Sequence, residues 1–325
     1  MAFDQNSALG QSLTSATRIA FDAGFKQVQQ GGRALYNFEQ VDQLNKVYSS
    51  WVMDPFASNT GFGGNYANSN PTLGDEKTYT QNKITLSFEV IKEFNDFSAA
   101  ANQPGFVEAV KKSQGIGTSA AKRIELDLQL NIGMGASASY TDMDGNTVNT
   151  TAATGLSNFN AAHTVNGSSA TYSNVGSTAF GQTGLEAAEL LFRRFINHDG
   201  QQITRRANTI FSTSDPTLTN LIGEFNKGMN HIADANRGIN VYQGKYNHIV
   251  LEFMDATNLG AVDTAKKNYW GLAVAGDENL KLLVAQEPTV YAPEMVQRNR
   301  NILIQTDAVY TYGIQDPTCI VLMTA

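Results

Sequence analysis

The chain has 325 residues, a formal charge of −7 and only 16% charged residues, with 10% aromatic residues. This length allows one large domain or two to three small ones, and the aromatic content excludes an acidic disordered tail. The negative charge argues against a general nucleic-acid-binding surface, which needs Lys and Arg. Cys319 is the only cysteine, which excludes an intrachain disulfide and argues against a cysteine-based metal site. The sequence has no apolar run of membrane-spanning length and no signal-peptide pattern at its start.

The N-terminal quarter combines a polar segment, a turn-rich segment and a strand pattern. Residues 1–35 lack apolar periodicity, and we expect an extended arm that other surfaces must hold. Phe38–Trp51 carries apolar residues at helical spacing, which predicts a helix. Residues 52–76 are rich in Gly, Asn and Pro, which is typical of turns. Thr78–Phe94 alternates apolar and polar residues, which predicts a strand of a projecting hairpin, with an ordinary surface loop before it as the alternative.

Residues 104–135 fit two secondary structures. Ile124–Ile132 alternates with period two, but the segment is rich in strong helix formers and poor in β-branched residues. We therefore predict one long helix. Its expected landmarks are a start at Pro104, a bend at Gly115-Ile116-Gly117 and an end at Gly133 or Gly135.

Residues 136–183 are dominated by Ser, Thr, Asn and Gly, and no Lys or Arg occurs between Ile124 and Phe192. Short strand-like fragments flank Asp144-Gly145, which predicts a hairpin turn. A long uncharged polar segment is either a flexible loop or a surface packed against another subunit.

The remainder of the chain alternates helical and strand patterns. Asp215 is expected to cap a helix whose first residue is Pro216 and which continues through Phe225. The other predicted elements are a helix at Gly184–Asn197 and strands at Thr209–Thr213, Ile239–Tyr242, His248–Phe253, Trp270–Ala275, Leu280–Val284, Asn301–Tyr312 and Thr318–Thr324.

No constellation of residues predicts catalysis, cofactor binding or metal binding. The four histidines lack zinc-site spacing and are interpreted as surface or interface residues; they are His163, His198, His231 and His248. Asp142–Asn146 resembles the start of a calcium loop but has its glycine in the wrong place, so a hairpin turn is the better interpretation and a weak oxygen-ligand ion site the minor one. The basic pairs Arg193-Arg194 and Arg205-Arg206 are expected to form ion pairs, with phosphate binding as the alternative. We predict no catalytic, cofactor-binding or metal-ligating residue, no cofactor and no enzymatic activity.

Taken in order, the segments resemble a tailed-bacteriophage major capsid protein with the Hong-Kong-ninety-seven-type fold, which encapsulin nanocompartments share. The resemblance covers nearly the whole chain as an order of parts, and its most family-like stretch is Asn158–Gly167, followed by the helix from Gly184 and then Arg205–Pro216. It implies an α+β fold with an N-terminal arm, an extended loop, a peripheral domain with a long spine helix, and an axial domain. The implied boundaries are 1–46 for the arm, 47–95 for the extended loop, 96–183 with 290–325 for the peripheral domain, and 184–289 for the axial domain.

The resemblance also implies a function and partners. The chain would self-assemble as hexamers and pentamers into the icosahedral head that encloses packaged double-stranded DNA, in the bacterial host cytoplasm, and would reside in the virion. Its partners would be copies of itself, a portal, a separate scaffold or decoration protein, and DNA in weak non-specific contact, but no membrane. Met1 after a short arm favours a separate scaffold over a cleaved one.

Three alternatives remain from the sequence. An encapsulin-like nanocompartment shell has the same fold, although no feature indicates a cargo pocket. A β-rich tail or adhesin protein would suit the polar segment 136–183, but the helix-strand block 184–289 counts against it. An α/β enzyme lacks a recognisable site.

Overall fold

The computed structural model describes residues 8–52, 72–90, 104–165, 169–197, 200–228, 240–296 and 301–325. Its helices are α1 (Ala8–Lys26), α2 (Gly31–Leu35), α3 (Pro104–Gly133), α4 (Gln182–Arg193) and α5 (Pro216–Lys227), with short 3₁₀ turns at Thr264–Lys266 and Pro317–Cys319. Its strands are β1 (Asn37–Gln40), β2 (Asn45–Val52), β3 (Thr72–Thr80), β4 (Asn82–Val90), β5 (Ser139–Thr141), β6 (Thr147–Asn149), β7 (His163–Thr164), β8 (Thr171–Tyr172), β9 (Val175–Gly176), β10 (Thr209–Thr213), β11 (Asn247–Leu251), β12 (Trp270–Ala273), β13 (Leu280–Val290), β14 (Glu294–Met295), β15 (Ile302–Ile314) and β16 (Ile320–Met323). The fold is therefore of the α+β class.

The long helix α3 confirms the helical reading of residues 104–135. It begins at Pro104, which suits the first turn because proline lacks the N–H that would stay unpaired there, and it ends at Gly133. One face of α3 carries buried side chains at four-residue spacing: Ile116, Ala120, Ile124, Leu128 and Ile132. From Ile124 to Gly133 every residue is buried, so the C-terminal part of the helix is surrounded by protein. Leu126 and Leu130 pack in a second apolar cluster with Ala256, so the period-two pattern over Ile124–Ile132 comes from a helix buried on more than one face. Gly133 allows close packing, since a Cβ there would lie 2.0 Å from the carbonyl oxygen of Met254.

The expectation of an extended arm in residues 1–35 was wrong over its described part, because α1 is a 19-residue helix packed on α3; residues 1–7 lie outside the described residues. Its buried side chains lie on one face; they are Leu13, Thr17, Ala20 and Phe21. The two helix backbones touch at glycines: a Cβ on Gly24 would lie 2.1 Å from the Gln114 oxygen, and one on Gly117 would lie 2.2 Å from the Phe21 oxygen. Helix α3 continues through Gly115-Ile116-Gly117, so Gly117 serves this close crossing.

The first sheet is built around the antiparallel pair β13 and β15, which pair from Leu280↔Ile314 onwards. Strand β1 adds in parallel beside β13, while β14 and β4 both pair with β15. The strand predicted at Thr78–Phe94 is confirmed over Asn82–Val90. Helices α1 and α3 cover the sheet through one apolar cluster that includes Phe21, Ile116 and Ile304.

The helix predicted over Phe38–Trp51 was wrong, because the segment forms β1 and β2. The apolar side chains that suggested a helix share no buried face: Val41 is buried, but Phe38 is 50% exposed and Leu44 is 68% exposed. Of the turn-rich segment 52–76, residues 53–71 lie outside the described residues, and Thr72–Thr80 forms β3.

The second sheet has the order β11-β10-β12-β16-β9. Every residue of β10 and of β16 is buried, and α4 and α5 contribute Leu185 and Ile222 to the apolar cluster beside this sheet. The Asp215 side chain accepts the backbone N–H bonds of Thr217 and Leu218, which confirms it as the N-cap of α5. The strand predicted at Ile239–Tyr242 was wrong over its described part, since 241–245 form turns and Ile239 lies outside the described residues.

The polar segment 136–183 is held by its own hydrogen bonds. The hairpin predicted around Asp144-Gly145 is confirmed by β5 and β6, and Gly145 adopts a φ of +84°, which glycine tolerates without strain. The paired strands β7 and β8 are only two residues long. Strand β16 lies within the second sheet, although the segment 290–325 was assigned to the peripheral domain by resemblance. The four domain boundaries stay predictions.

Candidate functional site at the hairpin root and the exposed surface

Strands β2 and β3 form a hairpin-like ribbon that pairs, among the described residues, with no other strand. The ladder runs from Asn45↔Thr80 to Val52↔Thr72, with an irregularity between Ser49 and Trp51. A two-stranded ribbon is at best marginally stable alone. We call this ribbon the hairpin and its end near Asn45 and Thr80 the root. The contacts at the root therefore determine how the hairpin is held.

The first root contact is the side chain of Lys77. Its Nζ donates to the backbone oxygens of Thr151 at 2.7 Å and Ile314 at 2.9 Å. Burial lowers the pKa of Lys77 to about 8, because an ammonium group loses hydration there. This side chain therefore joins the hairpin to the end of β15 and to the polar segment.

The second root contact is aromatic. Tyr79 is buried and packs with Val41 and Leu283 in a small apolar cluster. Tyr48 meets the edge of Tyr79, with the ring centroids 5.7 Å apart. The ammonium group of Lys281 lies 3.8 Å from the Tyr48 ring centroid, a cation–π geometry that contributes about 0.5–2 kcal/mol.

A charged cluster lies beneath the root, along a cleft of about 560 Å³. Arg123 of α3 contacts the carboxylates of Asp127, Asp142 and Asp144 at 3.0, 3.1 and 2.8 Å. Burial raises the pKa of Asp127, while the Arg123 charge and the hydrogen bond from Tyr310 oppose that rise. The cluster fixes the β5–β6 hairpin against α3, so Asp142 and Asp144 form ion pairs that stabilise this turn.

A chain of buried side-chain amides links α3 to the family-like stretch Asn158–Gly167. The Asn131 amide donates to the Tyr36 hydroxyl at 2.8 Å, and the Asn158 amide donates to Asn131 Oδ1 at 3.1 Å. The Asn174 side-chain amide donates to the backbone oxygen of Asn158 at 2.7 Å. His163 ends the chain, with Nε2 donating to Asn174 Oδ1 at 3.1 Å. Because such buried networks are costly when one partner is missing, this one fixes the local backbone tightly.

The interpretation of the histidines as surface or interface residues was wrong for His163, which is fully buried. Burial lowers its pKa, and the hydrogen bond that its Nε2 donates to Asn174 opposes that effect. His248 is partly buried and contacts Ser212 at 2.9 Å. His198 and His231 lie outside the described residues.

The basic pairs have separate roles. Arg205 donates to Thr318 Oγ1 at 3.2 Å. It also lies 3.7 Å from the Asp277 carboxylate, which confirms the predicted ion pair for this arginine. Arg193, Arg194 and Arg206 are exposed. Within the described ranges, no group of three or more His, Cys, Asp or Glu side chains is placed to hold a metal ion.

Several large apolar side chains are exposed on separate elements. Leu259 and Val262 are 70% and 71% exposed on a loop closed by the Ala256↔Val262 bridge. The other large apolar side chains of the described residues that are at least half exposed are Ile19, Phe38, Leu44, Val47 and Val241. No helix in the described part of the chain is long and apolar enough to cross a membrane. The presence of two exposed apolar side chains in one short loop is the feature that most favours contact with another protein surface.

Sequence reasoning missed the Lys77 contacts, the Arg123 cluster and the glycine crossing of α1 and α3. The sequence does contain a pattern that predicts the contact face of α1. It is the recurrence, at three- and four-residue spacing, of Leu13, Thr17, Phe21 and Gly24. The Lys77 contacts left none, because both acceptors are backbone oxygens distant in sequence.

No protein-family model matches the sequence, and no curated protein matches it significantly. Solved structures are similar over almost the whole chain. The mature capsid of bacteriophage PhiM1 has a TM-score of 0.56 at 10% identity, covering 91% of this chain and 87% of that one. Gordonia phage Cozz gives a TM-score of 0.54 at 14% identity, with 91% and 86% covered.

A third similar structure is the virus-like particle from Pyrococcus furiosus, with a TM-score of 0.50 at 9% identity, covering 95% of this chain and 98% of that one. At these identities the likeness concerns the fold, and its near-complete coverage in both directions leaves no large part of the described architecture unaccounted for. The chain has the Hong-Kong-ninety-seven-type fold of phage capsid proteins.

Proposed function

We propose that this chain is the major capsid protein of a tailed bacteriophage, and that hexamers and pentamers of it form an icosahedral shell around packaged double-stranded DNA. The observation that carries the proposal is the match in fold along nearly the full length of phage capsid subunits. A match confined to one sheet and its helices would indicate only a shared substructure.

The surface supports self-association. Among the described residues the hairpin pairs with no further strand, and exposed apolar side chains lie on α1, β1, β2 and the Leu259 loop. Contact with further copies would remove these side chains from water, at about 25 cal/mol per Å² of apolar surface. These exposed apolar side chains lie on several separate elements, as contact with several neighbouring copies would require.

The charge of the chain suits loose contact with DNA. A formal charge of −7 with few basic residues gives little counterion release, so packaged DNA would meet the shell without binding tightly. On the basis of the fold match we also propose a virion location, a portal and a scaffold as partners, and no enzymatic role. The arm, extended loop, peripheral domain and axial domain keep their predicted boundaries within this proposal.

A second candidate is a shell that encloses no genome, as in encapsulin-like nanocompartments. The observation that favours it is the similarity to the Pyrococcus furiosus virus-like particle, where coverage reaches 98% of that chain. Both candidates predict closed shells, so the contents of the particle distinguish them.

The experiment expresses the full chain, separates assemblies by size-exclusion chromatography and images them by negative-stain electron microscopy. We expect closed shells, or rings of five and six subunits. Nuclease-protected double-stranded DNA in particles from infected cells supports the phage head, whereas particles that hold protein cargo support the second candidate. A chain that stays monomeric with crowding agent, low salt and co-expressed scaffold contradicts both.

A further inference from the structure

Lys77 joins three separate parts of the subunit. It lies on β3 of the hairpin, and its Nζ donates to Ile314 at the end of β15 and to Thr151 of the polar segment. The same ammonium group lies 5.1 Å from the centroid of the Tyr79 ring, which packs at the root. One side chain thus bridges the hairpin to two parts of the body.

The partners of Lys77 are unusual for a lysine with reduced exposure. In the part of the chain that the structure describes, no carboxylate lies within ion-pair distance of it, whereas Lys46 contacts Glu39 at 2.5 Å and Lys83 contacts Asp307 at 2.8 Å. Removing a cation from water without a counter-charge costs stability. Lys77 therefore fixes the orientation of the hairpin, through two backbone acceptors at fixed positions, more than it adds to the free energy of folding.

Gly313 of β15 leaves the space that Lys77 needs. A Cβ at this position would lie 2.9 Å from Lys77 Nζ and 3.0 Å from Tyr79 Cε1. Any side chain larger than glycine would therefore press on the ammonium group at the point where it meets β15.

We propose that Lys77 is a positioning residue that fixes the angle at which the hairpin leaves the body, and thereby prepares the hairpin to contact a neighbouring copy. The role in contact rests on the proposed shell function, but the role in fixing the hairpin does not. Because the hairpin has no strand partner in the described sheets, its orientation depends on the few side chains at its root, and Lys77 is the one that bonds to two other elements.

The test compares Lys77→Met with Lys83→Met in the dissociated subunit by hydrogen–deuterium exchange. Met keeps the length and apolar stem of lysine but loses all donors. We expect amides of the β2–β3 ladder to exchange at least tenfold faster in Lys77→Met, with α3 unchanged and the melting temperature within about 5 °C of wild type. Lys83→Met removes an exposed ion pair outside the root and should leave the ladder unchanged.

Unchanged exchange of the ladder in Lys77→Met overturns the proposal, as does an equal rise throughout the chain, which indicates ordinary loss of stability. Gly313→Ala keeps the lysine and displaces its ammonium group, so it gives the same local rise, to a smaller extent, if Lys77→Met fails to fold. Shell yield is measured separately: wild-type subunits that never assemble refute the shell function while the exchange result still decides the role of Lys77.

Discussion

The crossing of α1 and α3 gives a quantitative prediction, because two glycines allow the helix backbones to touch. A Cβ on Gly117 would lie 2.2 Å from the Phe21 oxygen, whereas ordinary contacts begin at 3.4 Å. Gly117→Ala must therefore move the helices apart by roughly 1 Å at this point. Such overpacking costs about 1–3 kcal/mol, and Gly24→Ala should behave alike because its Cβ meets the Gln114 oxygen at 2.1 Å.

Gly115 provides a matched control two residues away on the same helix. A Cβ at Gly115 would meet nothing within 4 Å. Gly115→Ala should therefore stabilise the subunit by about 0.5–1 kcal/mol, the usual gain when alanine replaces glycine inside a helix. The two alanine variants should thus differ by about 1.5–4 kcal/mol although they make the same chemical change.

The assay is chemical denaturation of the dissociated subunit, with limited proteolysis to follow release of α1. We expect Gly117→Ala to lower the denaturation midpoint and to expose α1 to protease, and Gly115→Ala to raise the midpoint. Equal stability of the two variants would contradict the predicted contact of α1 and α3, because it would show that the helices do not touch at Gly117.

Three further predictions follow from single side chains. Burial lowers the pKa of His163, so the unfolded state binds more protons below pH 6.5 and the free energy of unfolding falls as the pH falls. His163→Gln should reduce the slope of unfolding free energy against pH by up to about 1.4 kcal/mol per pH unit. An unchanged slope would contradict the burial of His163. The pKa of Lys77 falls from 10.5 to about 8, so wild type should gain up to about 3 kcal/mol of unfolding free energy over Lys77→Met between pH 8 and 10.5, whereas parallel pH profiles refute the shift. Leu259→Asp should reduce shell yield at unchanged melting temperature, while Asn258→Asp, which adds the same charge beside it, should assemble; equal yields would remove this loop from the interface.

The sequence predicted elements best where local rules and burial agree. The Asp215-Pro216 cap, the buried strand Thr209–Thr213 and the turn at Asp144-Gly145 each depend on interactions within a few residues, and all three are present. The long helix α3 was predicted because strong helix formers outweigh a coincidental alternation.

The sequence failed where tertiary contacts decide the structure. Phe38 and Val47 lie at helical spacing, yet both belong to strands because Phe38 pairs beside Leu282 and Val47 beside Thr78. Helix α1 was overlooked because its polar composition hid a buried face formed by Leu13, Thr17 and Phe21. Propensity is a weak guide in such segments, since packing overrides it.

The candidate site was the least predictable part. The Lys77 bonds end on backbone oxygens, which any residue type supplies, so no motif marks them. The Arg123 cluster joins α3 to a hairpin 19 residues later, and only the turn itself has a local signature. The Asn158–Gly167 stretch was singled out by resemblance, and its physical role is the buried amide network through Asn174.

Electron microscopy of the assembled full chain shows whether this subunit builds a closed shell. We expect icosahedral particles whose subunit density accommodates the α1–α3 pair and both sheets, with double-stranded DNA protected inside particles from infected cells. A chain that remains monomeric in the presence of its scaffold, or that forms open fibres with no five- or sixfold rings, would contradict it.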